Sequence, residues 1–344
     1  MRAAIYRASG QPLAIEEVAD PRPANDQIIV EVAQAGICGS DLHVTEHGVI
    51  PPGVILGHEF AGTIVELGGG VGDQWKWKIG DRVTALPVQA CRECDACAAG
   101  LPALCRTGRF TGMTLEYPGA YAQYVAARAS MLQRLPAGVA FTDGAMVEPL
   151  AVAHHAVELA GITRGESVLV IGAGPIGAGV TLFARLAGAR HVMVSEPAAR
   201  RRDIAAQVGA TALIDPASED VAQRCAAISG GPPQVVIECV GNPGQLQRAL
   251  ELAGIRGRVV IAGVCFSEER IVPIVALMKE VSVQFSQCYT ERNFEAVITA
   301  VARGEARPGP MHSRTIGLAA VPQTFEALRS SPGDCKVLID PKLP

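Results

Sequence analysis

Cys91, Cys94, Cys97 and Cys105 put four thiols within fifteen residues, in C-R-E-C-D-A-C-A-A-G-L-P-A-L-C. The spacing C-x2-C-x2-C-x7-C is short enough for one loop to curl round an ion at the Zn–S distance of about 2.3 Å. Four thiolates close the coordination of zinc, so this loop reads as a structural metal site. A redox-active C-x-x-C accounts for two thiols, not four regularly placed ones. A nucleic-acid-binding zinc ribbon draws no support from the loop, whose cations are Arg92 and Arg106.

A second group could hold zinc with an open position. Cys38 lies in G-I-C-G-S-D-L-H beside Ser40, Asp41 and His43, and His58 lies in L-G-H-E-F beside Glu59. Zinc with fewer protein ligands keeps room for water or substrate, which is the requirement for a catalyst. Glu148 opens the apolar stretch E-P-L-A-V-A-H-H-A, where a lone carboxylate is costly without a partner, and a metal is such a partner. The expected catalytic set is Cys38, His58 and a carboxylate. The residues alone leave the choice between Glu59 and Glu148 open.

Gly172, Gly174 and Gly177, in I-G-A-G-P-I-G with Pro175 and Ile176, make G-x-G-x-x-G. The motif follows the strand-like V-L-V-I and opens an apolar helix, the context in which a helix N-terminus cradles a pyrophosphate. Glu196 follows Gly177 by 19 residues, the spacing of an acid that binds the adenosine ribose. Its charge repels a 2′-phosphate and favours NAD over NADP. Arg200, Arg201 and Arg202 follow it, with Arg201 the candidate to lie by the adenosine and the others read as a solvated helix face.

These residues need two kinds of scaffold. Up to about residue 150 the chain has short strand-like runs, Ile28–Val32, Ala61–Leu67 and Asp81–Leu86, separated by turns such as P-P-G and G-G-G-V-G-D. That is an irregular β-domain whose loops carry function. From V-L-V-I-G onward, strands alternate with helices through T-A-L-I-D, V-V-I-E-C-V-G and R-V-V-I-A-G, as βαβ units on a parallel sheet do. After Cys288 two helices, Asn293–Arg303 and Thr324–Leu328, and a last strand in C-K-V-L-I-D are too little for a domain, so this tail is expected to pack back on the N-terminal region.

At 344 residues, 49% hydrophobic and 19% charged, the chain can bury about two domain cores. A net charge of −4 offers no attraction for nucleic acid or an anionic membrane. No apolar run reaches the roughly 20 residues of a membrane span, and no signal peptide is legible, so a cytoplasmic location is expected. The cysteines outside the two clusters, Cys225, Cys239, Cys265, Cys288 and Cys335, are read as small buried hydrophobes rather than disulfides.

The motifs G-I-C-G-S-D-L-H, E-H-G, G-H-E, G-D-R-V, the four-cysteine loop, E-P-L and I-G-A-G-P-I-G stand in register from Gly36 to Gly177, with V-L-I-D-P near the C-terminus. In these the chain resembles the zinc-dependent medium-chain dehydrogenases, near their polyol branch of sorbitol, butanediol and threonine dehydrogenases. The resemblance implies an α/β fold with a GroES-like irregular β catalytic domain over 1–150, completed by 289–344, and a Rossmann doubly wound parallel sheet over 151–288. It makes Cys38 and His58 ligands of a catalytic zinc, with Glu148 at the metal directly or through water and Glu59 able to exchange into the shell. Ser40 becomes the hydroxyl that passes on the alcohol proton, His43 its outlet to solvent, and Asp41 the carboxylate orienting His58. Val240 and Gly241, with Ala262, Gly263 and Val264, are similar to segments that line the nicotinamide and its ribose.

The implied enzyme holds two zinc ions per subunit, moves a hydride from an alcohol to NAD and is a homodimer or homotetramer, with V-S-V-Q-F (281–285) a candidate for sheet extension. Its partner is a small alcohol or ketone. Sorbitol dehydrogenases carry an aromatic where this chain has Val44, and an Arg-Tyr pair where it has Ser286 and Gln287, so a small diol or less polar secondary alcohol is expected in place of a long polyol. An NADP-preferring enzyme is the alternative. A zinc-free quinone or enone reductase lacks Cys38, His58 and the thiolate loop, and a non-catalytic scaffold has no use for the combined Cys38, Ser40, His58 and Glu148 set.

Overall fold

The computed structural model describes residues 1–330 and 333–344. Its larger sheet runs in the order His312–Ile316, Lys336–Ile339, Gln27–Gly36, Glu59–Leu67, Arg82–Ala85, Leu132–Arg134, with Tyr124–Arg128 also pairing with Gln27–Gly36. In Gln27–Gly36 the residues Ile28 to Val30 and Val32 are buried, while Glu31 and Ala33 on either side of Val32 are half-exposed. This alternation marks a strand with one face on a core. Arg2–Ile5 and Ala14–Glu17 form a separate antiparallel pair.

The tail returns to this sheet. Leu338 pairs with Gly36, and Gly36 pairs in turn with Glu59. Cross-strand partners point to one face, and so do residues two apart in a strand, so Lys336 and Glu59 are directed to the same side.

The second sheet has six strands, Ala212–Ile214, His191–Ser195, Ser167–Ile171, Val235–Glu238, Arg258–Ile261 and Ser282–Phe285 in that order, all parallel. Its inner strands are apolar at nearly every position because helices cover both faces. Val168, Val170, Val192, Val194, Val235 and Ile237 pack on one side with the helices Val147–Ala160, Pro175–Leu186 and Glu291–Ala302. Leu169, Ile171, Met193 and Val236 pack on the other with Val221–Ser229 and Gln245–Leu252. The chain leaves Ser167–Ile171 first toward one edge and then returns to its other side, so a crevice opens beyond the C-terminal ends of Ser167–Ile171 and Val235–Glu238.

Several elements were not legible in the sequence: Tyr124–Arg128, Leu132–Arg134, His312–Ile316 and the N-terminal hairpin are too short to show a period. The helix expected over Asn293–Arg303 begins at Glu291, capped by Thr290. Thr290 Oγ1 accepts from Asn293 N at 3.3 Å, and Asn293 Oδ1 accepts from Thr290 N at 2.9 Å. The helix expected over Thr324–Leu328 spans Val321–Ser330. The reading of the five scattered cysteines needs correction. Cys225 and Cys335 are buried, but Cys239, Cys265 and Cys288 are half-buried. No helix of the described residues is long and apolar enough to cross a membrane.

Candidate active site

The four loop cysteines converge. Sγ of Cys105 lies 3.4 Å from Sγ of Cys91 and 3.9 Å from that of Cys94, and Cys91 and Cys97 are 3.9 Å apart. Tetrahedral zinc at a Zn–S distance of about 2.3 Å needs sulfur–sulfur edges of about 3.8 Å, so the residues fit the ion. Backbone amides aim at the sulfurs, with Cys91 N 3.3 Å from Cys105 Sγ and Cys94 N 3.4 Å from Cys91 Sγ. The Cys91 amide, helped by that of Thr107, pulls the Cys105 thiol down to about 6, while burial pushes Cys97 up to about 12. The loop's cations are paired, Arg92 with Glu291 and Arg106 with Asp95, both at 2.6 Å.

Cys38 caps the helix Gly39–Glu46, and His58 and Glu59 stand at the start of the strand Glu59–Leu67. One donor atom each from Cys38, His58 and Glu59 lie within 4.8 Å of one another. Asp41 faces the same centre, its Oδ1 3.3 Å from His58 Nδ1, at an angle that leaves both atoms without a hydrogen bond. Its Oδ2 accepts from Tyr121 Oη at 2.5 Å and from Cys38 N at 3.4 Å. Burial lowers the His58 pKa, but the charges of Asp41 and Cys38 outweigh it and hold the ring well above the usual imidazole value. A half-buried thiol beside a buried imidazole and carboxylate, with Asp41 adding negative charge, calls for a cation, and this donor set suits zinc. Ser40 Oγ donates to Cys38 Sγ at 3.2 Å.

The two candidate carboxylates are held differently. Lys336 Nζ donates to both oxygens of Glu59, at 2.8 and 2.6 Å, and to Ile37 O at 3.0 Å. Gly36 makes room for this pair, since a Cβ there would lie 2.0 Å from Glu59 Oε2. Glu148, in the first turn of Val147–Ala160, stands outside the 4.8 Å group, and its Oε1 accepts from Tyr289 Oη at 2.9 Å. Burial raises its pKa to about 7, against the opposing field of His58. Sequence reasoning missed Lys336 and Tyr289. Nothing in C-K-V-L-I-D or C-Y-T points to a residue hundreds of positions away.

Gly174 caps the helix Pro175–Leu186, which Pro175 and Ile176 begin, and Gly177 lies under the loop, where a Cβ would stand 1.9 Å from Gly172 O. Glu196 accepts from Ala173 N at 2.8 Å and Ala198 N at 2.9 Å, which ties the acid to the glycine loop. Of the three arginines, Arg201 reaches that loop, its Nη1 3.8 Å from the point a Gly174 Cβ would occupy, while donating to Asp334 O. Arg200 pairs with Asp334, and Arg202 with Asp215 and the carbonyls of Glu196 and Pro197. Glu238 is a further residue the sequence did not single out. Its Oε1 accepts from Val240 N at 2.5 Å and Gly241 N at 2.9 Å, shaping the turn that presents them.

The structure brings the two halves together at a cavity of about 100 Å³, where His43 and His47 face Gly241, Val264 and Phe266. Ala262 and Gly263 lie at the end of Arg258–Ile261, with Gly263 packed on the backbone of Gly241 and Glu238. A larger cavity of about 600 Å³, lined by His154, Phe183 and Arg303 among others, contains none of the predicted site residues.

A Cys38, His58 and Glu59 group able to hold a metal, on a domain that meets the mouth of a doubly wound nucleotide sheet at His43, points to a metal-dependent dinucleotide oxidoreductase. Residues 24–137 match the alcohol dehydrogenase GroES-like domain family, and residues 175–303 match the zinc-binding dehydrogenase family. Bovine (Bos taurus) sorbitol dehydrogenase is 33% identical over 345 residues, covering 95% of this chain and 92% of its own. A candidate zinc-binding dehydrogenase from Sinorhizobium meliloti 1021, solved bound to NADP, is 35% identical with a TM-score of 0.91, covering 99% of both chains. The 2R,3R-butanediol dehydrogenase of Bacillus subtilis is 30% identical with a TM-score of 0.89 and the same coverage. The chain belongs to the zinc-dependent medium-chain alcohol and polyol dehydrogenases, and it is an oxidoreductase of that family.

Proposed function

We propose that this protein is an NAD-dependent enzyme that oxidises a secondary alcohol or small diol to a ketone. Its catalytic residues are Cys38, Ser40, His43, His58, Glu59 and Glu148, and Cys91, Cys94, Cys97 and Cys105 hold a second, structural zinc. The observation that carries this reading is the meeting of His43 with Gly241 and Val264 across one small cavity, five residues along the chain from Cys38. When bound, zinc supplies Lewis acidity that eases loss of a hydroxyl proton, and NAD supplies the hydride acceptor. Ser40 takes the proton once its hydroxyl turns from Cys38, and His43 passes it toward solvent. Asp41 orients His58, and the edge of the Phe110 ring against His58, with centroids 6.4 Å apart, helps exclude water.

On the cofactor side, Gly172, Gly174, Pro175, Ile176 and Gly177 cradle the pyrophosphate, and Val240, Gly241 and Ala262 to Val264 flank the nicotinamide. Glu196 takes the adenosine ribose, with Arg201 beside it. The Glu196 charge supports NAD. The Arg200–Arg202 cluster and the NADP in the S. meliloti neighbour support the second reading, an NADP-preferring enzyme.

In this reading residues 1–150 with 289–344 form the catalytic domain, and 151–288 the nucleotide domain. Ser282–Phe285, an outer strand of the parallel sheet exposed at all four residues, supports assembly as a homodimer by edge pairing, or as a tetramer of such dimers. Cytoplasmic residence is part of this reading: five of the ten cysteines are assigned to zinc, and a chain of this size with its own core has no need of disulfides. Steady-state oxidation of 2,3-butanediol, simple secondary alcohols and sorbitol, each with NAD and with NADP, tests the reading. Turnover is expected to be highest with a small diol or secondary alcohol and NAD, and no reduction of either nucleotide with any alcohol rules it out.

A further inference from the structure

Tyr289 is a buried phenol hydrogen-bonded to one carboxylate. Its Oη donates to Oε1 of Glu148 at 2.9 Å, and both residues are almost wholly removed from solvent. Glu148 Oε2 accepts no hydrogen bond among the described residues. Glu59 differs, because Lys336 occupies both of its oxygens.

The phenol is held where it is by its surroundings. Cys288, just before it, adopts φ 48°, a left-handed conformation that a residue with a side chain takes only under constraint. That turn directs Tyr289 inward, where its ring packs on the buried Phe294 at a centroid distance of 5.5 Å. The helix behind it, Glu291–Ala302, is fastened to the helix that carries Glu148. Asn293 Nδ2 lies 2.6 Å from Glu158 Oε2 and 3.0 Å from His154 Nδ1. The distance between phenol and carboxylate is therefore set by two rigid elements and not by a mobile side chain.

We infer that Tyr289 is a positioning residue: by holding Oε1 of Glu148 it leaves Oε2 as the free carboxylate oxygen presented to the Cys38–His58 centre. A carboxylate pinned at one oxygen has lost the rotation that would let it turn from a metal or its water. Outer hydrogen-bond partners of this kind typically contribute about 10–100-fold to metal affinity. The inference rests on the proposed catalytic zinc: Glu59, the acid within 4.8 Å of Cys38 and His58, has both oxygens engaged by Lys336, and Tyr289 sets the orientation of Glu148, the acid beyond that group, toward the metal or its water.

The test follows zinc loss to a chelator in a double-mutant cycle, with cobalt spectra alongside. Cys38→Ala, which keeps only the thiolate loop, sets the baseline. In wild type the phase absent from Cys38→Ala reports the catalytic site. Tyr289→Phe, which removes one oxygen and keeps the ring on Phe294, is expected to speed that phase about 10-fold or more. It is also expected to shift the d–d bands of the cobalt difference spectrum (variant minus Cys38→Ala). In a Glu148→Ala background the same substitution is expected to change neither. Tyr289→His, a smaller ring that keeps a donor, stands in if the phenylalanine variant folds poorly, with a smaller acceleration expected. Unchanged zinc loss and cobalt bands in Tyr289→Phe overturn the inference, as does an effect that persists in full without Glu148. Identical behaviour of wild type and Cys38→Ala removes the catalytic zinc itself, and with it both the functional reading and this one.

Discussion

Lys336 and Glu59 are 277 positions apart and form an ion pair at 2.6 Å, with side chains 1% and 0% exposed. The glutamate holds the lysine charged against a burial that would otherwise lower its pKa. The pair joins the last strand of the chain to the residue beside His58. Removing one partner of such a pair leaves a buried charge with no compensation, a loss of about 3–5 kcal/mol. Lys336→Met is expected to lose that much in denaturant unfolding of the metal-free protein, and Lys336→Met with Glu59→Gln to regain more than half. A single variant as stable as wild type would show that the pair contributes nothing.

Zinc content separates the two metal centres. Wild type is expected to hold two ions per chain by elemental analysis. Cys38→Ser should hold one and lose turnover by about 10³-fold, the equivalent of several kcal/mol of Lewis-acid stabilisation. Cys97→Ser should also hold one, and its main deficit should be a lowered melting temperature, because metal binding at the loop is coupled to local folding. Two ions retained in Cys38→Ser would place the second zinc elsewhere.

Cofactor choice should move with the charge at residue 196. Glu196→Gln keeps an oxygen for one of the two amides that the acid now accepts from, Ala173 N or Ala198 N, and removes the repulsion of a 2′-phosphate. The ratio of kcat/KM for NADP over NAD is expected to rise about tenfold or more, since the repulsion between two like charges in such a site exceeds about 1.4 kcal/mol. A ratio that does not change would mean that Glu196 serves the loop alone.

Assembly should depend on the outer strand. Phe285 is 68% exposed and Val283 39%, and the strand's unpaired backbone is a template for a second copy. Phe285→Lys is expected to convert a particle of at least twice 35.9 kDa into single chains in light scattering, and wild type already eluting as single chains would defeat the proposal.

The sequence by itself determined what depends on neighbours along the chain. The thiolate loop, the glycine turn with Pro175, and Cys38 with Ser40 each bring their chemistry within a few residues, so short spacers nearly dictate the geometry. The alternation of strands and helices beyond Ser167 was legible for the same reason, since a strand covered on both faces is apolar throughout. Short strands such as His312–Ile316 were not, because five residues or fewer show no reliable period. The tertiary structure alone decided how each carboxylate is held. Lys336 reaches Glu59 because the tail strand pairs beside Gly36, and Tyr289 reaches Glu148 because two helices are clamped together. Contacts across 277 and 141 positions leave no pattern in one chain, as they are set by strand register and helix packing and not by local spacing.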